Sequence, residues 1–184
     1  MSARLRGHKL LAQGLKRQSE LCSRRGHASH RPGMMRENAS LGSREMQDAL
    51  RIARISTEDC LPLRREVLWP ALTEDECRVP QDPEATHLGA FIGETLVGCL
   101  SLCPIGPGLY QLRKFAVTGR CQGKGIGTQL MREAIETCRM LGVTRLELDA
   151  RSTARGFYEK FAMQPMGDLF FKGPIEHQRM ALAL

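Results

Sequence analysis

A chain of 184 residues leaves room for one domain of about 130 to 150 residues with a sizeable core. Its net charge of +7 suggests a nucleic-acid binder until the charge is located: residues 1–45 hold ten Lys/Arg against three acids, and residues 46–184 hold seventeen of each. The folded part is therefore electrically balanced, and no apolar run approaches the roughly 18 residues of a membrane helix, so neither nucleic acid nor a membrane is expected as a partner.

Residues 1–45 show no sustained apolar periodicity and are dominated by Ser, Arg, His and Gly, which predicts a disordered basic extension. Its first dozen residues combine basic and apolar side chains with no acid, a composition similar to an organelle transit peptide. Mitochondrial targeting is thus the alternative to a cytoplasmic protein. Two bland readings stand beside it: an extension without function, or a start at Met34, Met35 or Met46.

The domain is expected to span residues 46–184. Leu50 to Ile55 reads as a short strand, and Ser56-Thr57-Glu58-Asp59 supplies an N-cap and first-turn acids for a helix that ends before Trp69-Pro70. Thr86 to Ile92 and Thr95 to Cys103 flank Gly93-Glu94, the signal for a β-hairpin. Leu109 to Val117 is a further strand. Ile126, Leu130, Ile135, Cys138 and Leu141 mark the core stripe of a helix stopped by Gly142. Arg145 to Asp149, Ala154 to Phe161 and Ile175 to Leu182 read as strand, short helix and last strand. This order, six strands and three helices beginning with an antiparallel meander, predicts a mixed α/β fold rather than a doubly wound parallel sheet.

The seven cysteines (Cys22, Cys60, Cys77, Cys99, Cys103, Cys121, Cys138) form no Cys-x-x-Cys pair and lie far in sequence from the histidines. Neither a metal site nor a disulfide framework is indicated, and a reducing compartment, the cytoplasm, fits.

The most informative segment joins the fourth strand to the second helix, where Phe115-Ala-Val runs through Gln122-Gly-Lys-Gly-Ile-Gly-Thr128 into the long helix. Gly123, Gly125 and Gly127 remove side chains where the backbone turns, so successive N–H groups can converge on a phosphate at a helix N-terminus. A Walker A loop would need Ser or Thr after Lys124, which is followed by Gly125. The dinucleotide pattern Gly-x-Gly-x-x-Gly could begin at Gly123, but Thr128 occupies its third place, although Glu147 and Asp149 sit roughly where a ribose-binding acid belongs.

The remaining pattern, Gln-x-x-Gly-x-Gly from Gln122 to Gly127, resembles the pyrophosphate loop of the GNAT superfamily of N-acetyltransferases. A second stretch, Arg151-Ser-Thr-Ala-Arg-Gly-Phe-Tyr-Glu-Lys-Phe-Ala-Met, is similar to that superfamily's other coenzyme A motif, with Arg151 in place of the usual Asn and Ala162 in place of the usual Gly. Thr86 to Phe91, Leu96 to Gly98 and Ile175 to Met180 extend the likeness to the ElaA and YjcF types, over about residues 50 to 182. The resemblance implies a mostly antiparallel GNAT-type sheet flanked by helices, with acetyl-CoA as co-substrate. It places Phe115, Ala116 and Val117 beside the pantetheine arm, the amides of Gln122, Gly123, Lys124, Gly125, Ile126, Gly127 and Thr128 at the pyrophosphate, and Arg151, Ala154 and Phe157 in the second binding motif. It also implies Tyr158 as general acid to the departing thiolate, and allows a homodimer.

The expected reaction is direct attack of a primary amine, first of all a small-molecule amine, on the thioester. The base stays open among His177, His87, Glu147, Asp149 and a water chain. Cys121 beside the loop is expected to be a buried apolar residue rather than a reactive thiol. Three other functions remain: a non-catalytic acyl-CoA sensor, which would not need Tyr158, an acetyltransferase acting on protein lysines or N-termini, and a nucleotide-dependent oxidoreductase.

Overall fold

The computed structural model describes residues 50–184. The predicted disorder of residues 1–45 and their targeting role lie outside the described residues. Strand β1 (Leu50–Ile55) leads to helix α1 (Thr57–Val67) through a capping box: the Ser56 hydroxyl accepts from the Asp59 amide at 3.2 Å, and the Asp59 carboxylate accepts from the Ser56 amide at 2.9 Å. Strands β2 (Thr86–Ile92), β3 (Thr95–Gly106) and β4 (Leu109–Val117) then form an antiparallel meander with β1. Helix α2 (Ile126–Met140) crosses over to β5 (Arg145–Arg151), which lies parallel to β4. The short helix α3 (Arg155–Glu159) precedes the hairpin of β6 (Gln164–Lys172) and β7 (Ile175–Ala183). The seven strands run in the order β1-β2-β3-β4-β5-β7-β6, with β4 and β5 as the parallel pair in a mixed sheet.

Both faces of the sheet are covered. Leu130, Met131, Ala134 and Cys138 of α2 are buried against Leu88, Leu100, Leu102, Leu146 and Leu148 of the strands. Cys60 and Leu63 of α1 pack with Cys99 and Ala116 in a separate cluster. Adjacent Cys99 and Leu100 fall into different clusters because successive strand residues point to opposite faces. Strand β3 is accordingly buried without interruption from Val97 to Cys103. Helix α2 closes in a Schellman turn, Gly142 at φ +70° donating to Arg139 and Val143 to Cys138.

Two sequence expectations are corrected. There are seven strands rather than six: β6 is absent from the sequence reading because Pro165 and Gly167 interrupt it and most of it is exposed on the sheet edge. The helix expected over 154–161 is instead a 3₁₀ turn at Ser152–Ala154 followed by only five α-helical residues.

Candidate active site

Strands β4 and β5 are paired only from Leu109–Gln111 against Arg145–Glu147, yet β4 continues to Val117 and β5 to Arg151. Beyond that point the two strands part, and a cleft of about 540 Å³ opens between them. Its walls are Phe115, Ala116 and Val117 of β4, Leu148, Asp149 and Arg151 of β5, and Ala154 and Tyr158 of the segment after it. Val67, Leu68 and Trp69 close it from the end of α1, and Lys172 and His177 from the β6–β7 hairpin.

At one mouth lies the glycine turn. Gly123 and Gly125 have φ of +72° and +85°, left-handed values that residues with a Cβ rarely adopt. Gly125 is the N-cap of α2 and no side chain caps that end; the first helical bond runs from Gln129 to the Gly125 carbonyl at 3.1 Å. The amides of Ile126, Gly127 and Thr128 precede that bond and are the ordinary orphan donors of a helix start. The Gln122 side chain donates to the Val117 carbonyl at 2.9 Å and ties the turn to the end of β4. An anionic group of pyrophosphate type fits such a cradle, because the donors are backbone amides and nothing lies within 4 Å of a Cβ built at Gly123. Lys124 is exposed at the rim, whereas the Ile126 side chain is buried in the core and only its backbone faces the turn.

Tyr158 lines the cleft on the side opposite β4, held edge-on to Phe157 with ring centroids 5.0 Å apart. Burial pushes its phenol up to about 12, with the positive charge of Arg151 pulling the other way. It is therefore a proton-bearing hydroxyl at every physiological pH. Phe157, expected in the coenzyme site, is not among the residues lining the cleft; it packs in an aromatic group with Phe115 and Phe161 beside Gly127. A Cβ on Gly127 would stand 3.6 Å from both the Phe115 and Phe157 rings, so the helix start and the aromatic group are in close contact.

The candidate bases separate cleanly. His177 lines the cleft from β7, stacked on Phe170, with Nδ1 2.9 Å from the Ile175 carbonyl. A carbonyl can only accept, so Nδ1 carries a hydrogen, and in the neutral ring Nε2 is the nitrogen with the lone pair. His87 is not at the cleft, contrary to the sequence expectation. It lies in a buried polar cluster, 2.8 Å from the Ser101 hydroxyl and 3.1 Å from that of Thr57, beside the Arg64–Asp82 ion pair. Thr57 at the N-terminus of α1 reaches it, and it is buried and absent from the residues lining the cleft. Asp149 does line the cleft, but Lys172 at 2.7 Å and Arg179 at 2.9 Å hold it. Burial alone would raise its carboxyl, and the two cations outweigh that and leave it below the usual carboxylate range, a poor proton acceptor. Glu147 is buried, paired to Arg145 at 2.9 Å, and outside the cleft lining. Cys121 is a buried core residue, as its sequence reading has it.

The structure adds residues the sequence reading lacked. Lys114 sits in a β-bulge where Lys114 and Phe115 together oppose Leu100, with φ +53°, and its Nζ lies 4.2 Å from the centroid of the Trp69 ring. Burial above all, with Arg113, Arg64 and Lys172 nearby, lowers its amine to about 8. A positive φ at a lysine and a contact 45 positions back in the chain leave no mark in the sequence pattern.

The sequence profile of the Acetyltransferase (GNAT) family matches residues 46–163, and the chain belongs to that family. Among curated proteins it is 27% identical over 129 residues, 66% of this chain and 87% of the other, to the uncharacterized N-acetyltransferase YitI of Bacillus subtilis (strain 168). Among solved structures it resembles Escherichia coli ElaA, with a TM-score of 0.62 at 18% identity over 72% of this chain and 98% of that one. It also resembles a Bacillus subtilis acetyltransferase crystallised with CoA, with a TM-score of 0.59 at 21% identity over 73% and 99%. These two likenesses establish the shared fold.

Proposed function

We propose that the protein transfers an acetyl group from acetyl-CoA to a primary amine of a small molecule by direct attack, without an acyl-enzyme. The observation that carries this reading is the parting of β4 from β5 between an uncapped helix start and the Tyr158 hydroxyl. The amides at 126–128 and the flanking glycine turn hold the pyrophosphate. The backbone edge of Phe115 to Val117, which β5 leaves unpaired, aligns the pantetheine arm as an added strand would. Bound there, the thioester supplies an activated acyl carbon.

His177 Nε2 takes the proton that the attacking ammonium must lose, since the Ile175 carbonyl has already fixed its tautomer. As the new N–C bond forms and the C–S bond breaks, Tyr158 gives its proton to the sulfur and so avoids a free thiolate, and the phenolate left behind takes the second proton that the acylated nitrogen sheds. Arg151 and Ala154, on the same wall as Tyr158, border the arm. In this reading the catalytic domain comprises residues 46–184 and works in the cytoplasm. Thiol release from acetyl-CoA, followed against a panel of small amines and lysine peptides, tests the proposal. Small amines are expected to turn over and peptides to lag. A folded protein that binds acetyl-CoA but acetylates nothing would point to the sensor function instead.

A further inference from the structure

The acceptor end of the cleft carries an unbalanced charge. Arg113, Lys114 and Lys172 all line it, and the one carboxylate there, Asp149, is shared between Lys172 and Arg179. Among the described residues no carboxylate lies within 4.0 Å of Arg113 or Lys114 in an ion pair. Lys114 reaches this place through a left-handed backbone conformation at a bulge, an arrangement that is strained for an ordinary L-residue. The Trp69 ring beneath it stabilises the ammonium without neutralising it. The lowered amine pKa of Lys114 has the same origin, part-burial among cations. Such a cluster lies high in free energy when empty and is relieved when an anion enters, whereas a second cation on the acceptor would add to the repulsion.

We propose that Lys114, seated on Trp69, is the specificity-determining residue of the acceptor site, and that the acceptor is a small amine bearing a carboxylate or phosphate group. This inference rests on the acetyl-transfer reading above. The anion sits against Lys114, with Lys172 and Arg113 beside it, which leaves the amine free to face the thioester and His177. The nearby Arg151 borders the coenzyme arm and is not needed for this selection.

The test compares matched acceptors: β-alanine with β-alanine amide, phosphoethanolamine with ethanolamine, and putrescine as a dication, each by kcat/KM at saturating acetyl-CoA. The anionic member of at least one pair is expected to lead by roughly tenfold or more, the size of one charge-assisted contact, and the leading pair tells carboxylate from phosphate. In Lys114→Met that ratio should collapse toward one, and Lys114→Arg should keep it. The same amines are titrated by calorimetry into the CoA-loaded protein, where no transfer occurs. Preferential binding of an anionic amine that Lys114→Met abolishes supports the acceptor class even if turnover is absent, in which case only the transfer reading fails. Equal use or equal binding of neutral and anionic members, preference for putrescine, or an unchanged ratio in Lys114→Met overturns the proposal while leaving acetyl transfer intact.

Discussion

Replacing Tyr158 by Phe removes one oxygen from the cleft wall and little else. The ring keeps its edge contact with Phe157 at 5.0 Å, and no hydrogen bond contributes to the phenol's shift, so the fold should lose less than about 0.5 kcal/mol. The acid function should be lost entirely. A positioned general acid is worth about 10²-fold or more, so kcat is expected to fall by about 10²-fold, or ~2.7 kcal/mol at the transition state. The Kd for acetyl-CoA should stay within about twofold, because a proton delivered to sulfur acts only as the C–S bond breaks. Since the wild-type phenol titrates near 12, its loss of protonation cannot bend the rate profile below pH 10; an ordinary tyrosine would be half ionised there. The assay is steady-state thiol release between pH 6 and 10, with denaturant unfolding of both proteins in parallel. A variant with kcat within threefold of wild type, or one whose stability drops by several kcal/mol, would refute the assignment and return Tyr158 to a packing role.

Three further outcomes follow from the geometry. Ala162 is exposed with φ +60°, so Ala162→Gly should relieve left-handed strain and raise stability by about 1 kcal/mol, read as a Tm increase of ~2–4 °C. Asp82 accepts two 2.7 Å bonds from the fully buried Arg64 guanidinium; Asp82→Asn strands that charge and should cost about 3–5 kcal/mol at pH 7. Burial opposes ionisation of Asp82, but Arg64 and the Val79 amide hold its carboxyl below the usual range. The pair's contribution is thus complete above the unfolded carboxylate pKa of about 3.9 and fades as pH falls through the lower folded value; denaturant titrations from pH 2 to 7 should show a smaller acid loss in Asp82→Asn than in wild type, the remainder coming from other carboxylates such as Asp149. If the domain comprises residues 46–184, deleting 1–45 should change Tm by no more than ~2 °C and leave acetyl-CoA binding intact.

Much of this fold was legible because local chemistry and tertiary structure agree. Ser56 and Asp59 cap α1, Gly93-Glu94 turns the β2–β3 hairpin, and Gly142 ends α2, each as the sequence pattern requires. The edge strand β6 was not legible, since its pairing with β7 comes from β7's exposed donors and acceptors and not from any alternation in Gln164–Lys172. In the site, the glycine turn and Tyr158 carry their signal in residue type and spacing. The histidines do not: His87 and His177 are equivalent on strands in the sequence, and only the partner elements separate them, Thr57 of α1 holding one while the β4–β5 gap reaches the other. Lys114 is the extreme case, because its role depends on a bulge register and on Trp69.

The central claim is that the turn at 122–128 and the start of α2 form the phosphate end of a coenzyme A site. Gly125 at φ +85° is the position where any side chain must shift that turn, so the direct measurement is calorimetric titration of wild type and Gly125→Val with CoA, NAD and ATP. Wild type is expected to bind CoA at least tenfold more tightly than NAD or ATP, and Gly125→Val, still folded by circular dichroism, to lose that binding by at least roughly tenfold. Equal CoA affinity in a folded Gly125→Val, or tighter binding of NAD or ATP than of CoA by wild type, would contradict the account.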